Sequence, residues 1–159
     1  VTAEQRGDLL DAVVAAIPGW QVLLVQYNEV IAARLGVTPS DLRALFVLSV
    51  HGPCSPGVLG RHVGLTTGAA SRLVERLVNA GIATRDADPR DRRRVVVTPR
   101  AEALEEAARH YEPLNQRLRE HLGSTDPATL QAMLTFIRSA EASTQQLLDA
   151  ANRPAGAPE

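Results

Sequence analysis

The stretch Gly64–Pro99, GLTTGAASRLVERLVNAGIATRDADPRDRRRVVVTP, decides how this chain is read. Its first half places Ala70, Leu73, Val74, Leu77 and Val78 at the spacing of a helix with one buried side. Thr66 or Thr67 caps that helix and Ala80-Gly81 ends it. Two strands follow, residues 82–87 and 93–98, joined by the turn-prone Asp88-Pro89-Arg90-Asp91. In the second strand Val95 and Val97 share one face, and Arg94 and Val96 share the other. An α-helix fits the major groove of duplex DNA, and a thin basic hairpin can follow the backbone into the minor groove. The pattern predicts a winged helix-turn-helix that binds DNA.

With the apolar stripe inward, Thr67, Gly68, Ser71, Arg72, Glu75 and Arg76 face outward. Thr66, Thr67, Gly68 and Ser71 cluster at the amino end of the helix, where the dipole and unpaired N–H groups favour a phosphate or a base edge. Arg72 can present its fork to guanine, while Arg76 is expected to meet phosphate. The hairpin crowds Arg90, Arg92, Arg93 and Arg94 into five positions with Asp88 and Asp91 interleaved. Like charges that close need a polyanion or the two aspartates to offset them. The expected division is that Asp91 braces Arg93 while Arg90 or Arg92 enters the minor groove. The plainer alternatives are a solvated helix face and a hairpin whose Arg and Asp merely pair with each other.

A net charge of −1 looks wrong for a DNA-binding protein until it is split by region. Residues 61–100 hold nine Arg against four acidic residues, and the remainder holds eight Arg against fourteen. The charge is segregated, so a basic surface can exist on a nearly neutral chain. Hydrophobic content of 45% is ample for a core, but with 3% aromatic it must be filled by Leu, Val and Ala.

Outward from the wing, Thr38-Pro39-Ser40-Asp41 is a helix start, with Thr38 as N-cap and Asp41 reaching back. That helix carries Leu42, Leu45, Phe46 and Leu48 and stops at His51-Gly52-Pro53. Ser55-Pro56 opens a short helix through His62, and Gly64-Leu65 makes the turn. Residues 4–17 and 19–35 read as two helices, because Pro18-Gly19 should break or kink the run. A long helix over residues 101–122 and another ending near Ala151 close the chain, with residues 152–159 as a disordered tail. The expected organisation is dimerisation helices at 1–37, the winged domain at 38–99, further dimerisation helices at 100–151, and the tail. The fold class is mainly α, within α+β. The terminal helices are too long and too apolar on one side for the winged domain to satisfy, so a second copy of the chain is the expected partner.

The run from Thr38 to Pro99 resembles the MarR family of winged-helix transcriptional regulators. The resemblance rests on Thr38-Pro39-Ser40-Asp41-Leu42-Arg43, on Gly64-Leu65-Thr66-Thr67-Gly68-Ala69-Ala70, on Leu77 to Gly81, and on the Asp-x-Arg-Asp-x-Arg form of Asp88-Pro89-Arg90-Asp91-Arg92-Arg93. It implies a triangular homodimer joined by its terminal helices. Two winged lobes would bind an imperfect palindrome in a promoter, usually as a repressor. It further implies release by small phenolic or lipophilic compounds, often anionic, bound where the dimer helices meet the lobes. One departure stands out: Val97-Thr98-Pro99-Arg100-Ala101-Glu102 lacks the glycine that often follows the family's wing.

Trp20, Tyr27, Phe46 and His51 are the candidate effector-pocket residues, against the plainer reading of core packing. Cys54 is a candidate redox thiol, which would need a lowered pKa and a nearby cation; structural filler is the competing reading. A single cysteine excludes an intramolecular disulfide and fits a reducing, cytoplasmic setting. No metal site and no cofactor are expected, since His51, Cys54 and His62 lack the paired spacings of zinc ligands. No nucleophile elbow, phosphate loop or zinc-protease helix is present, so an enzyme is not expected. With no uninterrupted apolar run of about 18 residues, no membrane span is expected either. The reading is a dimeric, ligand-responsive regulator of a palindromic DNA site. A cysteine-based switch and a winged-helix protein-interaction module are the alternatives.

Overall fold

Side-chain caps fix where most of the helices begin. In the computed structural model, which describes residues 2–88 and 91–151, α1 spans Ala3–Arg34 behind a capping box made by Thr2 and Gln5. Thr38 caps α2 (Pro39–His51): its Oγ1 accepts the Asp41 amide at 3.2 Å, while the Asp41 carboxylate accepts the Thr38 amide at 3.1 Å and its hydroxyl at 2.6 Å. Ser55 caps α3 (Pro56–Val63). Gly64, at φ 76°, ends α3 in the left-handed region that glycine enters without steric cost. Then come α4 (Thr67–Asn79), the antiparallel strands β1 (Ala83–Ala87) and β2 (Val95–Pro99), α5 (Ala101–Leu122) and α6 (Pro127–Ala151). The chain resolves into two compact units, Val1–Tyr111 and Glu112–Glu159.

The first unit is built around α4. Ala70, Leu73, Val74 and Leu77 are buried together with Ala44, Leu45 and Leu48 of α2, Leu59 and Val63 of α3, and Val97 of β2. Val78, expected in that stripe, is instead 38% exposed: it falls at the edge of the arc, so the inward face is narrower than its spacing implied. The α3–α4 contact is close because Gly60 has no side chain. A Cβ placed there would sit 2.5 Å from the Cβ of Ala70. A smaller cluster joins Ile31 and Ala32 of α1 to Leu42 of α2, flanked by Tyr27, Phe46 and Tyr111.

The wing has a third, one-residue strand at its base. Cys54 pairs with Val97 through both backbone bonds, Cys54 N–H to the Val97 carbonyl at 3.2 Å and Val97 N–H to the Cys54 carbonyl at 2.8 Å. At the far end of the hairpin the Asp88 amide donates to the Arg94 carbonyl at 2.8 Å and the Arg94 amide to the Asp91 carbonyl at 2.8 Å.

Pro18 does not divide α1. The helix runs through it without interruption, although proline removes one backbone donor there. Pro18 and Val14 are both exposed, so water can satisfy the carbonyl that loses its partner. The expectation of no membrane-spanning segment also meets a qualification, because α1 is long and apolar enough, by length and composition alone, to cross a bilayer. Its last turns are committed elsewhere, through buried Ile31 and Ala32 and a Tyr27 hydroxyl that donates to the His110 carbonyl at 2.9 Å.

Apolar side chains remain uncovered on both units. On α1 these include Leu9, Leu10, Val13, Val14 and Leu23, each more than half exposed. On α6, which has no buried residue, they include Met133, Phe136, Ile137 and Leu148. Asp126 opens α6 by accepting the Ala128 and Thr129 amides, both at 3.0 Å, and the Thr129 hydrogen bonds hold its carboxyl below the usual range.

The α3–α4 contact yields a paired prediction. Gly60→Ala should destabilise the protein by about 1–3 kcal/mol through overpacking, read as a lower urea midpoint. Gly57→Ala, on the same helix with nothing near its Cβ position, should raise the midpoint slightly. Equal midpoints for the two variants would remove the close approach from this account.

Candidate nucleic-acid interface

The outer face of α4 is what its core contacts leave over. Thr67, Gly68, Ser71, Arg72, Glu75 and Arg76 are all exposed, with Thr66 exposed at the N-cap. Thr66 has an extended backbone but makes no side-chain cap bond, which leaves the first-turn amides without a cap from its hydroxyl. The Ser71 hydroxyl turns back to the Thr67 carbonyl at 3.3 Å. Arg72 makes no ion pair among the described residues.

Arg76 sits differently from Arg72. Its Nε donates to Asp41 Oδ1 at 3.2 Å and its Nη2 to the same oxygen at 2.8 Å. The Asp41 side chain is only 6% exposed, against 46% for Arg76. One carboxylate therefore caps α2 and grips the last turn of α4. The capping role of Asp41 was readable from Thr38-Pro39-Ser40-Asp41, but the grip on Arg76 was not, because it joins residues 35 positions apart.

On the wing, Asp91 Oδ1 accepts the Arg93 amide at 3.1 Å, and its carboxylate lies 3.5 Å from Arg93 Nε and 3.6 Å from Arg94 Nε. Asp91 thus lies between the guanidiniums of Arg93 and Arg94. Both guanidiniums stay in solvent, with 94% and 76% of their side chains exposed, so the pairing is loose and leaves charge to offer. Arg92 is exposed and has no ion-pair partner among the described residues. Arg90 lies outside the described residues. Asp88 closes the hairpin through its backbone.

Of the four candidate pocket residues, Tyr27 and Phe46 come together, and Trp20 and His51 lie apart from them. Tyr27 and Phe46 both meet Tyr111 edge-on, at 5.7 Å and 5.1 Å between ring centres. Tyr111, 83 positions from its hydrogen-bond partner Asn28, carried no local signal in the sequence. Its hydroxyl donates to Asn28 Oδ1 at 2.5 Å, and burial, with Tyr27 alongside, pushes its pKa up to about 12. Trp20 lies outside that cluster, 52% exposed. His51 stacks on His62, 4.5 Å away.

Two concavities open near the α1–α2 junction. One, of about 160 Å³, is lined by Val25, Asn28, Glu29, Leu42, Arg43 and Phe46, with Pro39 at its edge. The other, of about 250 Å³, is lined by apolar residues including Leu35, Val37 and Ile82 and by Asp41, Glu102 and Glu106. Arg109 pairs with Glu106 and holds its carboxyl below the usual range. Burial pushes the Cys54 thiol up, the opposite of what a sensing thiolate needs. Among the described residues, no group of three or more His, Cys, Asp or Glu is placed to hold a metal ion.

Comparison with known proteins agrees with this geometry. A family model described as MarR family matches residues 35–94. The chain is 30% identical over 139 residues to the HTH-type transcriptional regulator YcgE of Bacillus subtilis (strain 168), covering 87% of this chain and 90% of that protein. Its fold is similar to that of a MarR family protein from Bacillus stearothermophilus, with a TM-score of 0.65 at 19% identity over 91% of this chain and 99% of that one. It is also similar to overoxidized AbfR bound to DNA, with a TM-score of 0.51 at 18% identity over 86% and 99% of the two chains.

A raised thiol pKa makes Cys54 a slow nucleophile at neutral pH. The rate of its alkylation by iodoacetamide should still be climbing above pH 9, where a free cysteine approaches its plateau. A plateau reached near pH 7 would instead restore it as a sensing thiol.

Proposed function

The chain belongs to the MarR family of DNA-binding transcriptional regulators, which are not enzymes, and from that premise we propose that it acts as a cytoplasmic homodimer on a palindromic promoter site, as a repressor released by a small aromatic or lipophilic compound. What supports the DNA-facing part is the composition of the surface left over by the core: small polar residues and Arg72 on α4, and solvent-exposed Arg92, Arg93 and Arg94 on the hairpin. In this reading Thr66, Thr67, Gly68, Ser71 and Arg72 meet the major groove. Arg92, with Arg90 beside it in sequence, enters the minor groove, while Asp91 holds Arg93 and Arg94 along the backbone.

The dimer reading draws on the apolar faces that α1 and α6 each leave uncovered. Residues 1–37 and 100–151 would supply the joint and 38–99 the reading head. Two-fold pairing would space two α4 helices for successive half-sites.

For the effector, the 160 Å³ cleft offers what an aromatic anion requires. It combines apolar walls from Val25, Leu42 and Phe46 with one guanidinium, Arg43, and one amide, Asn28, and Arg43 must outweigh the carboxylate of Glu29 in the same lining. Among the described residues, the lining of the larger concavity includes no basic side chain to meet such a ligand. The cysteine-switch alternative is disfavoured by the raised pKa of Cys54.

Three measurements test these proposals. Footprinting on the DNA flanking the protein's own gene should show a palindromic protected site, with affinity falling steeply with salt. The slope of log K against log salt should flatten by about 0.9 for each phosphate contact removed, so Arg93→Ala and Arg94→Ala, each present twice in the dimer, should each flatten it by up to about 1.8. A winged domain used only for protein contact would protect no duplex. Sedimentation should give a dimer for the native chain and a monomer for the double substitution Leu10→Arg, Val13→Arg. A panel of aromatic carboxylates should release the DNA, and Arg43→Ala should weaken that release at least tenfold while sparing DNA binding.

A further inference from the structure

We infer that Asp41, a residue on α2, is a positioning residue for DNA recognition by α4, and that Arg76 serves it instead of a DNA phosphate. The inference rests on the DNA-binding reading above and assigns one job within it.

Asp41 is the one charged residue among the described residues that is buried. Burying a carboxylate is costly unless its lone pairs are answered. Here they are: Oδ2 accepts the Thr38 amide and hydroxyl, and Oδ1 accepts Nε and Nη2 of Arg76. The carboxylate is thereby saturated by two helices at once, the first turn of α2 and the last turn of α4. The Nε and Nη2 edge of Arg76 is the face that would otherwise form a bidentate contact with phosphate, and it is turned to Asp41.

The apolar contacts of α4 fix which side faces inward, but such packing tolerates small rotations and slides. Two N–H groups held on one carboxylate oxygen, with Nε also 3.5 Å from the other, restrict them further. The pair sits at the carboxyl end of α4, while the proposed base contacts sit at the amino end, one to three turns away. Fixing one end of a rigid helix sets where the other end points. A small tilt there costs base contacts, which need close geometry, more than it costs diffuse attraction to the backbone.

The test uses the full-length protein and a duplex recovered by the native chain from a randomised library, with a scrambled duplex of equal length as control. Affinities are measured by fluorescence anisotropy over a range of salt for Asp41→Asn, Arg76→Lys and Arg76→Ala. Near-ultraviolet circular dichroism checks that each variant is folded at the assay temperature. Asp41→Asn and Arg76→Lys should each lose at least tenfold on the selected duplex and less than twofold on the scrambled one. For Arg76→Ala, the salt slope should equal that of the native chain.

A purely structural role would lower both affinities by the same factor, since it acts through the folded fraction, and would overturn the inference. A phosphate anchor would also overturn it: Arg76→Lys would then be close to native, Arg76→Ala would flatten the slope by about 1.8, one contact in each half of the dimer, and Asp41→Asn would be silent. If the native chain selects no duplex at all, the DNA-binding reading itself fails and the inference falls with it. Selection by the native chain with silent variants refutes the inference alone.

Discussion

The outward face of α4 follows from how that helix is buried. Four of its residues, Ala70, Leu73, Val74 and Leu77, fill the space between α2, α3 and β2. At 3.6 residues per turn, that commitment forces a fixed set of polar residues outward. The apolar stripe and the polar face are one constraint seen from two sides. The absent side chain of Gly60 lets α3 approach closely enough to complete the packing, and Val97 closes the core from the wing.

Much of this was legible in the amino-acid sequence because it is local. The caps at Thr38 and Ser55, the glycine stop at Gly64, and the apolar period of α4 each depend on residues within a turn or two of one another. The bounds of α2, α5 and α6 came out close to expectation for that reason. Pro18 misled because a rule about the intrinsic cost of proline says nothing about whether an exposed helix can bear that cost. Val78 misled because periodicity gives the direction of a buried face but not its width. Long-range partners were invisible altogether. Tyr111 with Asn28, Asp41 with Arg76 and Cys54 with Val97 are each brought together by the tertiary fold. Aromatic character could not say which candidate pocket residues share a wall: Tyr27 and Phe46 meet on Tyr111, a residue outside the expectation.

Charge is organised by the same logic. The arginines of the hairpin remain in water, loosely tethered by Asp91, whereas Arg76 spends its fork on a buried carboxylate. Two arginines on the same outward face of α4 thus have different energetic meaning. Arg72 has no partner among the described residues and is available to a ligand. Arg76 is part of the frame. Counting basic residues on a helix face, without asking which are already engaged, overstates the charge a polyanion meets.

The backbone pairing of Cys54 with Val97 has a further consequence. A two-stranded hairpin presents two open edges, each able to template strand addition by another molecule. Here the inner edge of β2 is closed at its midpoint by Cys54, and the other strand, β1, carries Arg85 and Asp86. Charged side chains on a short strand discourage edge-to-edge association. The exposed hairpin is thereby left with no long, uncharged edge on which another strand could add.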